Sequence, residues 1–113
     1  MAKLQPILSK EELEAMITSE DVKTGEWIRG ENQRKQTYRE LIGSGDRKKI
    51  MRMVHTLYRH KADQSASGRK IHLCDENFLH DAEKLLIGEI SIVLHLEPEQ
   101  ARDYIHKKLK EDA

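Results

Sequence analysis

The side chains with the clearest chemical potential are the cations of a helical stretch near the middle of the chain, residues 47–61. When successive residues are placed about 100° apart, its basic side chains fall opposite its apolar ones. The basic side holds Lys48, Arg52, His55 and Arg59, and the apolar side holds Ile50, Met53, Val54 and Leu57. A helical row of Lys and Arg can follow the phosphates of a nucleic acid. The alternative is an ordinary solvated helix face.

Trp27 is the second residue with a chemical use, because it precedes Arg29 and Arg34 in a short segment before a predicted helix. An aromatic ring beside cations can enter a minor groove and distort a base step. The competing interpretation is a tryptophan that closes the core, since Trp is usually largely buried. No pattern for reading base edges is evident, so any DNA binding is expected to be weakly sequence-specific.

The formal net charge of zero conceals a strong polarity along the chain. Residues 27–70 carry 12 basic and 4 acidic side chains, a net charge of +8, whereas residues 1–26 and 71–113 carry −3 and −5. A basic segment of this kind often has a polyanionic partner. The alternative is that the segment pairs with the acidic flanks inside the fold, and the charge count leaves both open.

Other kinds of chemistry have little support. The six histidines show no metal-ligand spacing and are interpreted as surface residues. Cys74 is the only cysteine, which excludes an internal disulfide, and its surroundings match no nucleophile signature. We therefore expect no enzyme activity, no catalytic residue, no metal site and no cofactor.

The sequence gives no sign of a membrane association. No apolar run reaches the roughly 18 residues that a membrane-spanning helix needs, and no signal segment is evident. With a single cysteine, this favours a reducing compartment and a cytoplasmic location.

Glu89 is the one carboxylate that falls within an apolar stretch, between Leu86 and Ile90. An unpaired buried charge is costly, so Glu89 should have a partner. A structural ion pair or a cap to another helix is the favoured interpretation, and a functional proton carrier is the alternative.

The periodicity predicts an all-α fold, a compact bundle of four to five helices with short connections. Residues 1–8 are expected to form an extended lead-in, and residues 18–25 a loop. The predicted helices begin at Lys10, Glu31, Arg47, Leu73 or Cys74, and Pro98, and the second, third and fourth end near Ile42, Gln64 and His95. The fourth has apolar residues on nearly half of its circumference, so it is expected to be the centre of the domain.

Residue types at the predicted helix ends support these boundaries. Ser9 and Glu12 form a capping box, and Asp46 can cap the third helix. Gly43 and Gly45 can take the left-handed conformation that ends the second.

An ordered set of these features resembles the C-terminal helical domain of the CarD family of bacterial transcription regulators. The set is Trp27, a basic helix, Gly43-Ser44-Gly45-Asp46, a basic amphipathic helix ending in Leu57-Tyr58-Arg59, and Phe78-Leu79-x-x-Ala82-x-x-Leu85-Leu86-x-Gly88-Glu89-Ile90. It covers about residues 27–109. Residues 1–26 are interpreted as a lead-in with a short helix, and residues 27–113 as the CarD-like DNA-contacting domain.

The resemblance implies a promoter-binding role without catalysis. In the family, a helical domain contacts promoter DNA at the upstream edge of the bubble, a tryptophan wedges into the minor groove, and the open complex is stabilised. RNA polymerase is bound by an N-terminal Tudor-like β domain, which is expected to be absent from this chain. Carried over, the wedge falls on Trp27 and the DNA-facing cations on Arg29, Arg34, Lys48 and Arg52. The basic helix adds Lys49 and Arg59 as phosphate contacts.

A second hypothesis is a helical protein-interaction module without direct DNA contact, docking a partner through an apolar groove near Trp27 and the first helix. The surroundings of Trp27 discriminate the two. Cations around the indole favour DNA, and an apolar patch favours a protein partner.

Overall fold

The chain folds as a bundle of five α-helices in a computed structural model that describes residues 9–110. The helices are α1 (Lys10–Ile17), α2 (Glu31–Ser44), α3 (Arg47–Ala66), α4 (Leu73–Leu94) and α5 (Pro98–Ile105). A 3₁₀ turn covers Glu20–Lys23, and a π-helical segment, His106–Lys110, continues α5. The range 9–110 contains no strand, and the predicted all-α bundle is confirmed. The lead-in predicted for residues 1–8 lies outside the described residues.

The helix ends follow the predicted capping residues with one exception. The Ser9–Glu12 capping box is present, the Asp46 carboxylate accepts from the Lys49 amide at 3.1 Å, and Gly45 ends α2 with φ of 68°. Gly43 does not end the helix, because α2 continues through Ser44. The Ser44 hydroxyl donates to the Leu41 carbonyl at 2.7 Å and accepts from the Asp46 amide at 3.1 Å, which satisfies groups at the joint.

The most deeply buried helix of the bundle is α3, whereas α4, the predicted centre, is contacted on several sides by α1, α2, α3 and α5 but is less completely covered. Between Ile50 and Tyr58, every residue of α3 except Arg52 is buried. On α4, by contrast, Leu85 and Ile92 are 46% and 61% exposed. The reason is coverage, since α3 is packed by α1, α2, α4, the 3₁₀ turn and the π-helical segment. Apolar periodicity measures the composition of a helix face and not the number of neighbours that cover it.

His55 shows the same effect at a single residue. It was predicted on the exposed basic side of α3, but it is 2% exposed, so its interpretation as a surface histidine is wrong. Met51 and Tyr58, which lie about one turn to either side of it, are also buried. This side of α3 is therefore an internal face.

The segment predicted as a polar loop is a packed part of the structure. Val22, in the 3₁₀ turn, is fully buried. Three residues later the chain passes so close to α3 that a Cβ on Gly25 would lie 2.2 Å from Thr56 Oγ1 and 2.9 Å from Arg52 Cγ. Position 25 therefore favours glycine, because any larger residue would collide with these side chains of α3. This approach fixes the start of the segment that carries Trp27.

We expect Gly25→Ala to lower the free energy of unfolding by about 1–3 kcal/mol, because the added methyl group overpacks the contact with Thr56. Thermal and urea unfolding followed by circular dichroism would measure the change. Gly88→Ala is the matched control, since nothing lies within 4 Å of a Cβ there and α4 is helical at that position. The free energy of unfolding of the control should rise by about 0.5–1 kcal/mol, because alanine favours a helix more than glycine does. Equal stability of the Gly25 variant and the wild type would contradict the close approach.

Candidate nucleic-acid interface

Trp27 is half-buried, with its indole held by two side chains from different helices. The ring stacks on the imidazole of His60 in α3, with centroids 3.5 Å apart and planes within 9°. The guanidinium carbon of Arg34 in α2 lies 4.4 Å from the centroid of the indole ring. Arg34 therefore adds a cation–π contact to the aromatic stack. The indole packs against the core and also keeps part of its surface in solvent.

Arg34 is a buried structural residue, and this corrects its assignment as a DNA-facing cation. It is 3% exposed, and its Nε and Nη2 donate to the two carboxylate oxygens of Asp75 at 2.8 and 2.9 Å. Its Nη1 donates to the Ile28 carbonyl at 2.9 Å. A phosphate could reach this guanidinium only by displacing Asp75. The contacts of Arg34 support a structural role, the positioning of Trp27.

Asp75 completes this arrangement from the first turn of α4, where it is fully buried. A bidentate pair of this kind matches two donors of a planar guanidinium to two carboxylate oxygens. Because α2, α4 and the Trp27 segment all meet at Arg34, the pair fixes three parts of the chain relative to each other.

The predicted basic side of α3 faces the 3₁₀ turn and the residues that follow it. Lys48 pairs with the Asp21 carboxylate at 2.5 Å, and Arg52 Nε donates to the Asp21 carbonyl at 2.8 Å. Arg59 donates to the Gly25 carbonyl at 3.1 Å. These three cations hold the segment that leads to Trp27, while Lys48 and Arg59 remain partly open to solvent.

Internal pairing accounts for part of the +8 charge of the middle segment. Four ion pairs join it to the acidic flanks: Arg34–Asp75, Arg47–Glu89, Lys48–Asp21 and Lys61–Glu76. The pair with Arg47 also confirms the prediction of a structural ion pair for Glu89. Within residues 9–110, seven other cations of the segment have no ion pair, and six of the seven are exposed. Three of these six are Arg29, Arg69 and Lys70.

These three cations meet at one cleft of about 370 Å³ beside Trp27. Trp27 and Arg29 line one part of it, and Arg69, Lys70 and His72, from the connector between α3 and α4, line another. Lys49 and Arg52 do not reach this cleft and instead line a separate recess next to Gly25 and Ile28. The predicted cations are thus divided between two surfaces.

Three residues of the cleft, His60, Arg69 and Lys70, were missing from the predicted set. Arg69 and Lys70 lie in the basic segment, but only the fold shows that the connector returns to Trp27. His60 gave no signal, because its contact with Trp27 depends on how a loop packs on α3. Burial lowers the pKa of His60 below 6.5, which favours a neutral imidazole in the stack at neutral pH.

The described part of the chain contains neither a candidate metal site nor a candidate membrane-spanning helix. No three His, Cys, Asp or Glu residues among positions 9–110 lie together in a way that could hold a metal ion. No described helix is long and apolar enough to cross a membrane.

The sequence matches a known protein family over most of its length. The family described as CarD, C-terminal domain matches residues 11–106, a range that begins in α1 and reaches the start of the π-helical segment. Neither the curated proteins nor the solved structures contain a significant match to this sequence.

We expect Asp75→Ala to cost about 3–5 kcal/mol of folding free energy, because it leaves the Arg34 guanidinium buried without its counter-charge. Urea unfolding, followed through the fluorescence of the single tryptophan, would measure both the loss and the loosening of the indole. Glu76→Ala is the matched control, since Glu76 pairs with Lys61 at 2.9 Å on the surface. Removing that exposed pair should cost less than about 1 kcal/mol. Similar losses in the two variants would contradict the central role of Arg34–Asp75.

We expect stability to fall as the pH drops below 6.5, in part through His60. Its pKa is lowered in the folded state, so the unfolded chain binds the proton more readily in that range and gains free energy relative to the folded chain. Unfolding free energies measured between pH 7.5 and 5 would show the slope. A His60→Phe variant should keep the ring stack and show a smaller slope. An unchanged slope would mean that His60 does not contribute.

Proposed function

The chain belongs to the CarD C-terminal domain family, and on that premise we propose that it binds promoter DNA and helps RNA polymerase to stabilise the open complex. Membership of this family gives the chain a role related to transcription. The proposal that the chain binds promoter DNA rests mainly on the surroundings of Trp27. A half-buried indole, held by Arg34 and His60, lies beside a cleft lined by Arg29, Arg69 and Lys70, which have no ion pair within residues 9–110.

The geometry of Trp27 suits a wedge that enters a minor groove. Unstacking a base step costs a few kcal/mol, and that cost must be offset by contacts that the distorted DNA permits. A side chain already held by a ring stack and a guanidinium loses little conformational entropy when DNA binds. The exposed part of the indole meets the base step, and nearby cations bind the flanking phosphates.

Arg29 is the predicted cation that best fits phosphate binding in this proposal, because it is exposed and lines the Trp27 cleft. Lys49 is also exposed and lies near Arg52 in the second recess. Lys48, Arg52 and Arg59 act mainly by holding the segment before Trp27, and their open portions add positive potential. Contacts to phosphates carry no base identity, so the proposed binding is weakly sequence-specific.

The remaining parts of the proposal concern partners and location. Contact with RNA polymerase is assigned to a domain other than these helices, following the family pattern. The proposed role needs no catalytic group and no cofactor, and it is exercised in the cytoplasm, where the bacterial promoter is.

The alternative, a protein-interaction module that docks a partner near Trp27, has less support. The guanidinium of Arg34 lies 4.4 Å from the indole centroid, and the cleft beside the indole is lined by Arg29, Arg69 and Lys70 against one carboxylate, Glu31. Such surroundings favour a polyanion over an apolar partner. The most exposed large apolar residues of the helical segments, Leu73, Leu85 and Ile92 on α4, do not line the Trp27 cleft. Leu73 lines a neighbouring recess that it shares with Arg69 and Lys70.

We expect Trp27→Ala to weaken binding to an AT-rich promoter fork by about 1–3 kcal/mol, the range measured when a stacking aromatic is removed. Fluorescence anisotropy of a labelled fork at low salt would measure the change, with circular dichroism to check folding. Trp27→Phe should retain part of the affinity, because a smaller ring can still act as a wedge. Tyr104→Ala, a change in a half-buried aromatic on α5, is the remote control. No binding by the wild type, or binding that Trp27→Ala leaves unchanged, would refute the proposal.

A further inference from the structure

We propose that the connector between α3 and α4 is a second DNA-contacting element, in which Arg69 and Lys70 bind phosphates of the duplex segment that meets Trp27. This inference rests on the proposed function and extends its site. It adds two residues from a part of the chain that contributes no predicted DNA contact.

The connector lies at the same cleft as Trp27. Arg69 and Lys70 line the same cleft of about 370 Å³ as Trp27 and Arg29, although they are more than forty positions away from Trp27 in sequence. A DNA strand whose groove admits the indole has phosphates on both sides of the contacted base step. The cleft presents Arg29 beside the indole and Arg69 with Lys70 from the connector, so cations are available for phosphates on either side.

The lining of the cleft carries more positive than negative charge. Arg29, Arg69 and Lys70 are exposed and have no ion pair within residues 9–110, whereas two carboxylates at the start of α4 are engaged with other cations. Asp75 is paired with Arg34, and Glu76 with Lys61. Glu31 is the one carboxylate that lines the cleft, and it lies 4.0 Å from Lys35 and accepts from the Cys74 thiol at 3.8 Å. The cleft therefore retains a positive excess, which an incoming polyanion would neutralise.

The backbone at the start of the connector is rigid, because α3 ends in a turn with defined hydrogen bonds. Gly68 has φ of 73°, its amide donates to the Ser65 carbonyl at 3.0 Å, and the Arg69 amide donates to the Gln64 carbonyl at 2.8 Å. These two hydrogen bonds form a Schellman motif, which needs glycine or asparagine at the left-handed position. The backbone of Arg69 is thus fixed before DNA arrives, and only side chains must be ordered on binding.

The test compares salt dependence. Each phosphate contact contributes about 0.9 to the slope of log K against log salt concentration on duplex DNA. Replacing both residues, Arg69→Gln with Lys70→Gln, should lower the slope by about 2 and weaken binding to the AT-rich fork at low salt. Lys84→Gln with Lys107→Gln is the charge-matched control, because these exposed lysines lie on α4 and the π-helical segment and do not line the cleft. The control should leave the slope within experimental error of the wild type.

The outcomes separate this inference from the function on which it rests. If the wild type binds, Trp27→Ala weakens binding, and the connector variant keeps the wild-type slope, the connector proposal is refuted and the function stands. If the wild type does not bind the fork at all, the proposed function fails and the connector proposal fails with it. A reduced slope in the connector variant, with unchanged thermal stability and an unchanged control, supports the proposal.

Discussion

The buried pair of Arg34 and Asp75 is the interaction on which the arrangement of this domain depends. One guanidinium donates to both oxygens of a fully buried carboxylate on α4 and uses its remaining nitrogen to donate to the Ile28 carbonyl. Taking two charges out of water is expensive, and only complete hydrogen bonding makes it tolerable. The pair therefore joins α2, the start of α4 and the Trp27 segment in one geometry, and it places the same guanidinium over the indole.

The long segment before α2 is held by α3 in a way that supports this pair. Gly25 lets the segment pack closely against the side chains of Arg52 and Thr56, and Arg52 and Arg59 each donate to a carbonyl of the segment. Cations that would serve as a DNA-facing row on an isolated helix are used here to position a loop. The exposed cations beside Trp27 come instead from Arg29, near the end of this segment, and from Arg69 and Lys70 in the connector after α3.

Much of the fold was readable from local signals. Ser9, Asp46, Gly45 and Pro98 mark helix ends by hydrogen-bond and backbone requirements that act over three or four residues. The burial of α3 was not readable, because His55 and Met51 are covered by elements distant in sequence. The candidate site, too, was only partly predictable from the sequence. Trp27 could be singled out from its type and its basic neighbours, but the burial of Arg34 depends on Asp75, 41 positions away, and a helical wheel carries no information about such a partner.

The central claim is that Trp27 meets DNA directly, and the emission of this residue tests it most directly because the chain has no other tryptophan. The measurement is intrinsic fluorescence during titration with an unlabelled AT-rich promoter fork, with binding followed independently by sedimentation. The account predicts that emission is quenched in proportion to the bound fraction and that the bound indole becomes protected from acrylamide. Binding with unchanged emission and unchanged acrylamide access would contradict it.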